Sequence, residues 1–233
     1  MYRCFYFVLL LVFLHSKDGN AQVGGLGMER MDSSTIEIGS GIPLNILNRS
    51  FEKDVLLGSE YSNEDFVNAT VNGTSQAFKL RYNNYLDVFE YEKVVNNIIY
   101  ISKEQYKEVR FEDNRTYVLK EYPSKKETKE GYLLAVGNEN SKIRIYTTQL
   151  MEYKASKMAQ NSYEKSSQPE YKLKKSTFFI EYNDKLIPFN KGKDLTKAFP
   201  EHKKDIKAFF KQNNISLDSP DIIKLQNFLI SIL

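Results

Sequence analysis

Acidic side chains are the residues of this sequence best able to do chemistry. Six of them stand together in a region predicted to form strands: Glu60, Glu64, Asp65, Asp87, Glu90 and Glu92. Two carboxyl groups that flank a glycosidic bond can hydrolyse it, one as the acid and one as the base or nucleophile. Glu90 and Glu92 share one strand face, which we expect to face solvent. The chain has no Trp for a sugar platform, so a carboxylate-dependent hydrolase is the least favoured function.

Nucleophiles and metal ligands are scarce. The chain has one cysteine, Cys4, and two histidines, His15 and His202. Cys4 and His15 lie in the predicted export signal, and His202 is expected on the exposed start of a helix. Catalysis by Ser or Cys requires a nearby histidine base, and a zinc site requires several His or Cys ligands. We therefore assign no catalytic, cofactor-binding or metal-binding residue, and we expect a non-enzymatic protein without a cofactor.

The first 21 residues are predicted to be a cleavable export signal. Arg3 precedes the uncharged apolar run Cys4–Leu14, which is shorter than the roughly 20 residues that span a bilayer. Gly19 and Ala21 place small residues at the −3 and −1 positions of a cut before Gln22. Export to the periplasm or the cell exterior is the expectation. The remaining chain has no second run of that kind, so no transmembrane span is expected after cleavage.

Composition is that of a globular protein. The chain has 233 residues, 41% hydrophobic and 27% charged, with a net charge of +3, which is too small to indicate nucleic-acid binding. Residues 22–57 are rich in Gly and Ser and are predicted to form a flexible leader. Residues 58–192 form the predicted β-rich domain, and residues 193–233 form the predicted helical segment that packs on it.

Alternation and turn residues predict the β-rich domain. Phe78, Leu80 and Tyr82 alternate with Lys79 and Arg81, which is the period of a half-buried strand. Asn72-Gly73 and Asn183-Asp184 separate apolar runs, and Asn-Gly tolerates the positive φ of a tight hairpin turn. The pattern favours an α+β protein whose strands form an antiparallel meander, arranged as a sandwich or as an open half-barrel.

Helical periodicity begins after residue 193. Leu195 and Phe199 are four residues apart, and Pro200 is placed to begin a second helix. Ser219 is predicted to cap a third helix. The apolar side chains of these helices recur at helical spacing: Leu195, Phe199, Ile206, Phe209, Phe210, Ile222, Leu225, Phe228, Leu229 and Ile232. Helices this short are not stable alone, so we expect them to pack on the sheet.

Three surface features have a structural and a functional interpretation. Residues 154–175 carry six Lys and two Glu and are expected to be a loop or ragged strand pair, or else a basic contact arm. The second helix carries four lysines on one side, which is either a solvated face or a face that binds anions or a membrane surface: Lys203, Lys204, Lys207 and Lys211. Four tyrosines provide cross-strand packing or an aromatic binding face: Tyr82, Tyr85, Tyr91 and Tyr100. The structural interpretation is favoured in each case.

Several segments resemble a group of uncharacterised exported proteins of Bacteroidota. The similarity covers residues 58–233 and is most specific in Lys193–Lys204 and Ile206–Asn213. It also includes Gly58–Phe66 and Lys79–Tyr85. The chain departs from the group at Ser62, where an apolar residue is expected, and in its last helix, which lacks a Tyr-Tyr-Asn ending. The resemblance implies an exported β-rich protein and carries over no catalytic residue.

Two functions therefore stay open from the sequence. The first is a non-enzymatic binding or envelope-associated module that uses a sheet face or edge to hold a partner. The second is a half-barrel that carries a lipid or another apolar ligand beneath a helical lid. The position of the apolar stripe between Ile222 and Ile232 distinguishes them, because it is core in the first and a lid over a cavity in the second.

Overall fold

A computed structural model describes residues 56–233 except 96, 126, 140, 158, 160, 162, 164, 165, 218 and 219. The predicted signal and all but the last residues of the predicted leader lie outside these residues. The strands in the described part are, in chain order, β1 (Val67–Val71), β2 (Ala77–Asn83), β3 (Val88–Val94), β4 (Asn97–Tyr100), β5 (Glu108–Phe111), β6 (Thr116–Ser124), β7 (Glu127–Val136), β8 (Arg144–Thr147), β9 (Met151–Lys154), β10 (Glu170–Leu173), β11 (Phe178–Tyr182) and β12 (Lys185–Phe189).

Ten of these strands form one open antiparallel sheet in the order β12-β11-β8-β7-β6-β5-β1-β2-β3-β4. The α+β class and the antiparallel meander are confirmed, and the open sheet, rather than a sandwich, is the arrangement observed. β9 and β10 pair separately. Of residues 154–175, predicted as a loop or ragged strand pair, this pair includes all of β10 and the last residue of β9.

The hairpin turns follow the sequence signals. Asn72 and Gly73 have φ values of 48° and 72° after β1, and Asn183 and Asp184 have φ values of 50° and 59° between β11 and β12. Tyr182 pairs directly with Lys185, so the second loop has two residues. Such turns match the right-handed twist of the strands that they join.

Strands β1 to β4 are neighbours in the sheet in chain order. After β4 the chain crosses this four-stranded group, because β5 pairs with β1 on its opposite side. The connection between them contributes buried side chains of its own, Ile101 and Tyr106, to the core of that group. The Tyr132 hydroxyl and the Tyr106 carbonyl oxygen are 2.5 Å apart in a buried hydrogen bond. The connection is therefore part of the core.

Aromatic rings fill the core of the sheet's first half. The centroid of the Phe89 ring is 4.7 Å from that of Tyr132 and 5.4 Å from that of Tyr117. The rings of Tyr82 and Tyr117 are 4.7 Å apart. Edge-to-face and tilted pairs at these distances add to the free energy gained by burial.

Three helices follow the sheet: α1 (Gly192–Ala198), α2 (Lys203–Asn213) and α3 (Asp221–Ile232). The second helical stretch begins at Pro200 as predicted, but its first turn, residues 200–202, is a 3-10 helix that leads directly into α2. Asn214 ends α2 in the left-handed conformation, with φ of 44°. Ser219 lies outside the described residues. No helix in the described part is long and apolar enough to cross a membrane.

The helices share a second core with the last strands of the sheet. Leu195, Ile206, Leu225 and Leu229 are completely buried. They belong to one cluster with side chains of β8, β11, β12 and the residue before β8: Ile143, Ile145, Phe178, Ile180 and Phe189. The buried part of the α3 stripe is thus core of the protein.

Candidate functional site

The candidate carboxylate Glu90 is buried, which corrects the expectation that it faces solvent. Its side chain is 0% exposed. It accepts hydrogen bonds from Arg81 Nη2 at 2.6 Å, Tyr61 Oη at 2.9 Å and Asn83 Nδ2 at 2.9 Å. A carboxylate with so many donors is held in place, and these contacts indicate a structural role.

Arg81 connects this buried carboxylate to the segment before β1. Its guanidinium lies 3.8 Å from the centroid of the Tyr61 ring and 4.4 Å from that of Phe66. Its Nη1 donates to the Glu64 carbonyl oxygen at 2.9 Å. Burial raises the pKa of the Tyr61 phenol well above its ordinary value, and the nearby Glu90 raises it further. The cluster fastens residues 61–66 to the sheet.

Asp87 is also saturated with donors. It accepts hydrogen bonds from Tyr82 Oη at 2.6 Å, Lys103 Nζ at 2.7 Å and the Tyr132 backbone N–H at 3.1 Å. It thereby joins the β2–β3 turn to β7. Burial raises the pKa of the Tyr82 phenol, and the negative charge of the Asp87 carboxylate raises it further.

Among the described residues, no hydrogen bond joins any of the other four candidate acids to Glu90 or Asp87. Glu64 and Asp65 are exposed, and Glu60 and Glu92 are half-buried. The described residues also contain no group of three or more His, Cys, Asp or Glu side chains that could hold a metal ion.

The four tyrosines singled out from the sequence take structural positions. Tyr82 and Tyr100 are buried. Tyr91 contacts Phe78 edge-on, with centroids 5.8 Å apart. Tyr85 is 40% exposed and packs against Tyr171 of β10. The predicted cross-strand packing is confirmed for Tyr82 and Tyr91.

The candidate binding site is a groove between α1 and α2, which we call the lysine groove. Its volume is about 630 Å³, and it opens to solvent along one side. Its apolar lining residues are the partly buried Phe210 and the completely buried Ile206. The lining cations are two pairs of lysines: Lys193 and Lys197 from α1, and Lys203 and Lys207 from α2.

Helical spacing explains why these lysines meet. The members of each pair are four residues apart, so each pair lies along one side of its helix. Lys204 and Lys211 lie on α2 without lining the groove. Gly192 allows the close approach, because a Cβ atom there would be 2.8 Å from the Phe210 ring. The sequence indicated Lys203 and Lys207, whereas the α1 pair was missed although its spacing carried the signal.

A smaller groove of about 270 Å³ adjoins the lysine groove and shares Gly192 and Phe210 with it. Its apolar side chains include Phe178, Ile215 and Leu217. Lys175 and Lys191 line it as well. The two grooves together are lined by six lysines.

A charged cluster that the sequence did not single out lies on β6, β8 and β11. Glu181 is 2.6 Å from Lys120 Nζ and 2.9 Å from Arg144 Nε, and it accepts a hydrogen bond from Tyr146 Oη at 3.0 Å. Burial alone would raise the pKa of Glu181, but the hydrogen bond and charge of Lys120, with Tyr146 and Arg144, outweigh burial and lower it.

Comparisons of the chain with protein-family models, curated proteins and solved structures found no match.

Proposed function

We propose that this protein is an exported, non-enzymatic binding module of the cell envelope, and that the lysine groove binds an acidic segment of a partner protein. The observation that carries the proposal is the combination, in one groove, of the partly buried Phe210 ring with four lysines. Such a site suits a peptide that inserts an apolar side chain and presents carboxylates beside it.

Charge supports an anionic partner. Among the described residues, none of the four groove lysines has a carboxylate within ion-pair distance. Residues 191–211 contain seven Lys and three acidic residues, so the surrounding helices add to the positive potential. Clustered like charges at a cleft attract an oppositely charged partner and raise its association rate.

The shape of the groove favours a peptide over a carried lipid. A carrier encloses most of the surface of its ligand, whereas this groove is open along one side. The interior that a half-barrel carrier would need is occupied by the packed rings of Phe89, Tyr117 and Tyr132. The Leu225 and Leu229 side chains of α3 lie in the core instead of covering a cavity.

The contacts of the candidate acids favour a binding role over hydrolysis. A general acid or nucleophile must reach its substrate. Glu90 is completely buried and engaged by Arg81, Tyr61 and Asn83, and Asp87 accepts three hydrogen bonds.

Export rests on the N-terminal sequence and has its own test. N-terminal sequencing and intact mass of the protein from a cell-envelope fraction should find a chain that begins at Gln22. A cytoplasmic protein that retains Met1 would contradict export and would leave the groove proposal untouched.

Binding is tested with two labelled peptides, one with Phe and Leu flanked by Asp and Glu, the other with Lys in place of the acids. Fluorescence anisotropy should show that only the acidic peptide binds and that salt weakens binding. The double variant Lys203→Glu/Lys207→Glu should bind at least about tenfold more weakly, because two attractive charges become repulsive. The matched control is Lys204→Glu/Lys211→Glu, which makes the same charge change on α2 outside the groove.

Three results would overturn the proposal. They are equal binding of both peptides, equal losses in the two double variants, and failure of the acidic peptide to bind. Vesicles of phosphatidylcholine with and without phosphatidylglycerol provide a further arm. Groove-dependent binding to the anionic vesicles in place of the peptide would assign the lysine groove to a membrane surface.

A further inference from the structure

A second groove, on strands β5 to β8, is separate from the lysine groove. Its volume is about 200 Å³, roughly the share of liquid volume of seven waters. Arg110, Thr116 and Tyr146 are among its lining residues. Arg110 pairs with Thr116 across β5 and β6, and Tyr146 pairs with Ala135 across β7 and β8. Strand alternation directs these side chains to the face opposite that of Ile145, whose side chain packs with the helices.

Thr116 carries an unsatisfied polar atom at this groove. The residue is 1% exposed, and its Oγ1 is the one buried side-chain polar atom in the described part without a hydrogen-bond partner. A buried hydroxyl without a partner costs free energy. A ligand hydroxyl that reached this oxygen from the groove would remove that cost.

One wall of the groove is held rigidly. The loop after β7 supplies Glu139, whose carboxylate is 2.6 Å from Arg110 Nη2. The backbone N–H of the neighbouring Asn138 donates to Gln226 Oε1 at 2.7 Å, and its carbonyl oxygen accepts from Gln226 Nε2 at 2.8 Å. The loop backbone beside Glu139 is therefore anchored to α3.

The groove is balanced in charge but rich in hydrogen-bonding groups. Arg110 is paired with Glu139, and Arg144 is paired with Glu181, so an additional free anion would gain little. Guanidinium groups offer further N–H donors, and carboxylates offer further lone pairs. A ligand hydroxyl both donates and accepts, which suits neighbouring Arg and Glu side chains. Val118 and Ala135 provide an apolar wall.

From this arrangement we infer that the groove formed by Arg110, Thr116 and Glu139 binds a neutral polyhydroxylated ligand of about the size of one monosaccharide ring. Hydroxyl groups of the ligand meet Arg110, Glu139 and Thr116 Oγ1. Its C–H face packs on Val118 and Ala135. This site works independently of the lysine groove.

Saturation-transfer NMR and calorimetry on the full chain test this inference with free glucose, galactose, mannose and N-acetylglucosamine up to tens of millimolar. At least one of these sugars should bind. Thr116→Val removes only the hydroxyl and should weaken binding about tenfold, the loss of one buried hydrogen bond, without lowering stability. Arg110→Met should abolish binding. The matched control is Thr70→Val, because Thr70 flanks Arg110 on β1 without lining the groove.

The outcomes separate this site from the lysine groove. Lys203→Glu/Lys207→Glu should leave sugar binding unchanged, and Thr116→Val should leave peptide binding unchanged. Failure of all four sugars to bind overturns the inference. So does binding that Thr116→Val weakens no more than Thr70→Val, or preferential binding of acetate or inorganic phosphate over the neutral sugars.

Discussion

The side-chain amide of Gln226 donates to the carbonyl oxygen of Ile143, with Nε2 and the oxygen 2.7 Å apart, although the two residues are 83 positions apart in the chain. The same amide exchanges hydrogen bonds with both backbone groups of Asn138. Gln226 is 0% exposed. One buried side chain thus fastens α3 to the loop between β7 and β8. Gly137 in this loop has a φ of 87° and leaves space for the Gln226 side chain, because a Cβ atom at Gly137 would be 2.6 Å from Gln226 Oε1.

Replacing this amide should destabilise the fold. Gln226→Leu introduces an apolar side chain of similar size and removes the partners of one N–H and two carbonyl groups. We expect a loss of about 2–4 kcal/mol in the free energy of unfolding, measured with urea. Asn227→Ala, on the exposed side of the same helix, is the control and should change stability by less than about 0.5 kcal/mol. Equal effects of the two changes would show that the Gln226 contacts contribute little.

The buried pair of Arg81 and Glu90 predicts an asymmetric response to mutation. Arg81→Met leaves the Glu90 carboxylate buried without its cation, and we expect a loss of about 3–5 kcal/mol. Arg81→Met/Glu90→Leu should recover part of that loss, because no isolated charge is then buried. The exposed pair Lys129–Glu127 is the control, and Lys129→Met should cost at most about 1 kcal/mol. A double variant less stable than Arg81→Met would contradict this account.

Sequence patterns predicted the elements that depend on neighbouring residues. The turns at Asn72-Gly73 and Asn183-Asp184 need positive φ, which Asn, Asp and Gly tolerate. The helical segment followed its apolar spacing. These features are local, so a single sequence contains the information that sets them.

The sites depend on contacts between distant residues, which the same patterns do not report. Strand alternation puts Glu90 on the face opposite the core, where Arg81, Asn83 and the segment that contains Tyr61 engage it. Gln226 is a polar residue beside Leu225 in an apolar helix face, and its partners lie more than 80 residues away. The lysine groove needs the approach of α1 and α2 at Gly192 and Phe210.

Glu181 predicts a specific dependence of stability on pH. Its pKa is lowered from an ordinary value of 4.5 in the folded protein, so its contribution is present above that value. The contribution is lost as pH falls through the lower folded pKa. Urea unfolding of the protein and of Glu181→Gln at several pH values should show that the stability difference between them shrinks below pH 4.5. Glu127→Gln, which removes an exposed carboxylate, is the matched control for the loss of one negative charge. A constant difference across this range would contradict the prediction.

Removal of the helices should expose the sheet that they cover. A chain that ends at Lys191 loses Leu195, Ile206, Leu225 and Leu229, all completely buried, and uncovers the apolar side of β8, β11 and β12. Apolar burial of about 1.5–3 kcal/mol per side chain is then lost. We expect aggregation or loss of cooperative unfolding, measured by size-exclusion chromatography and thermal denaturation.

The full-length variant Leu225→Ala tests the same packing without deleting a segment. A cavity at a completely buried leucine should lower the free energy of unfolding by about 2–5 kcal/mol. Ile223 lies on the same helix and is 47% exposed, so Ile223→Ala should cost less than about 1 kcal/mol. If the truncated chain stayed monomeric with an unchanged Tm and Leu225→Ala matched Ile223→Ala, the helices would be an independent module. The α3 stripe would then be available to a partner instead of stabilising the sheet.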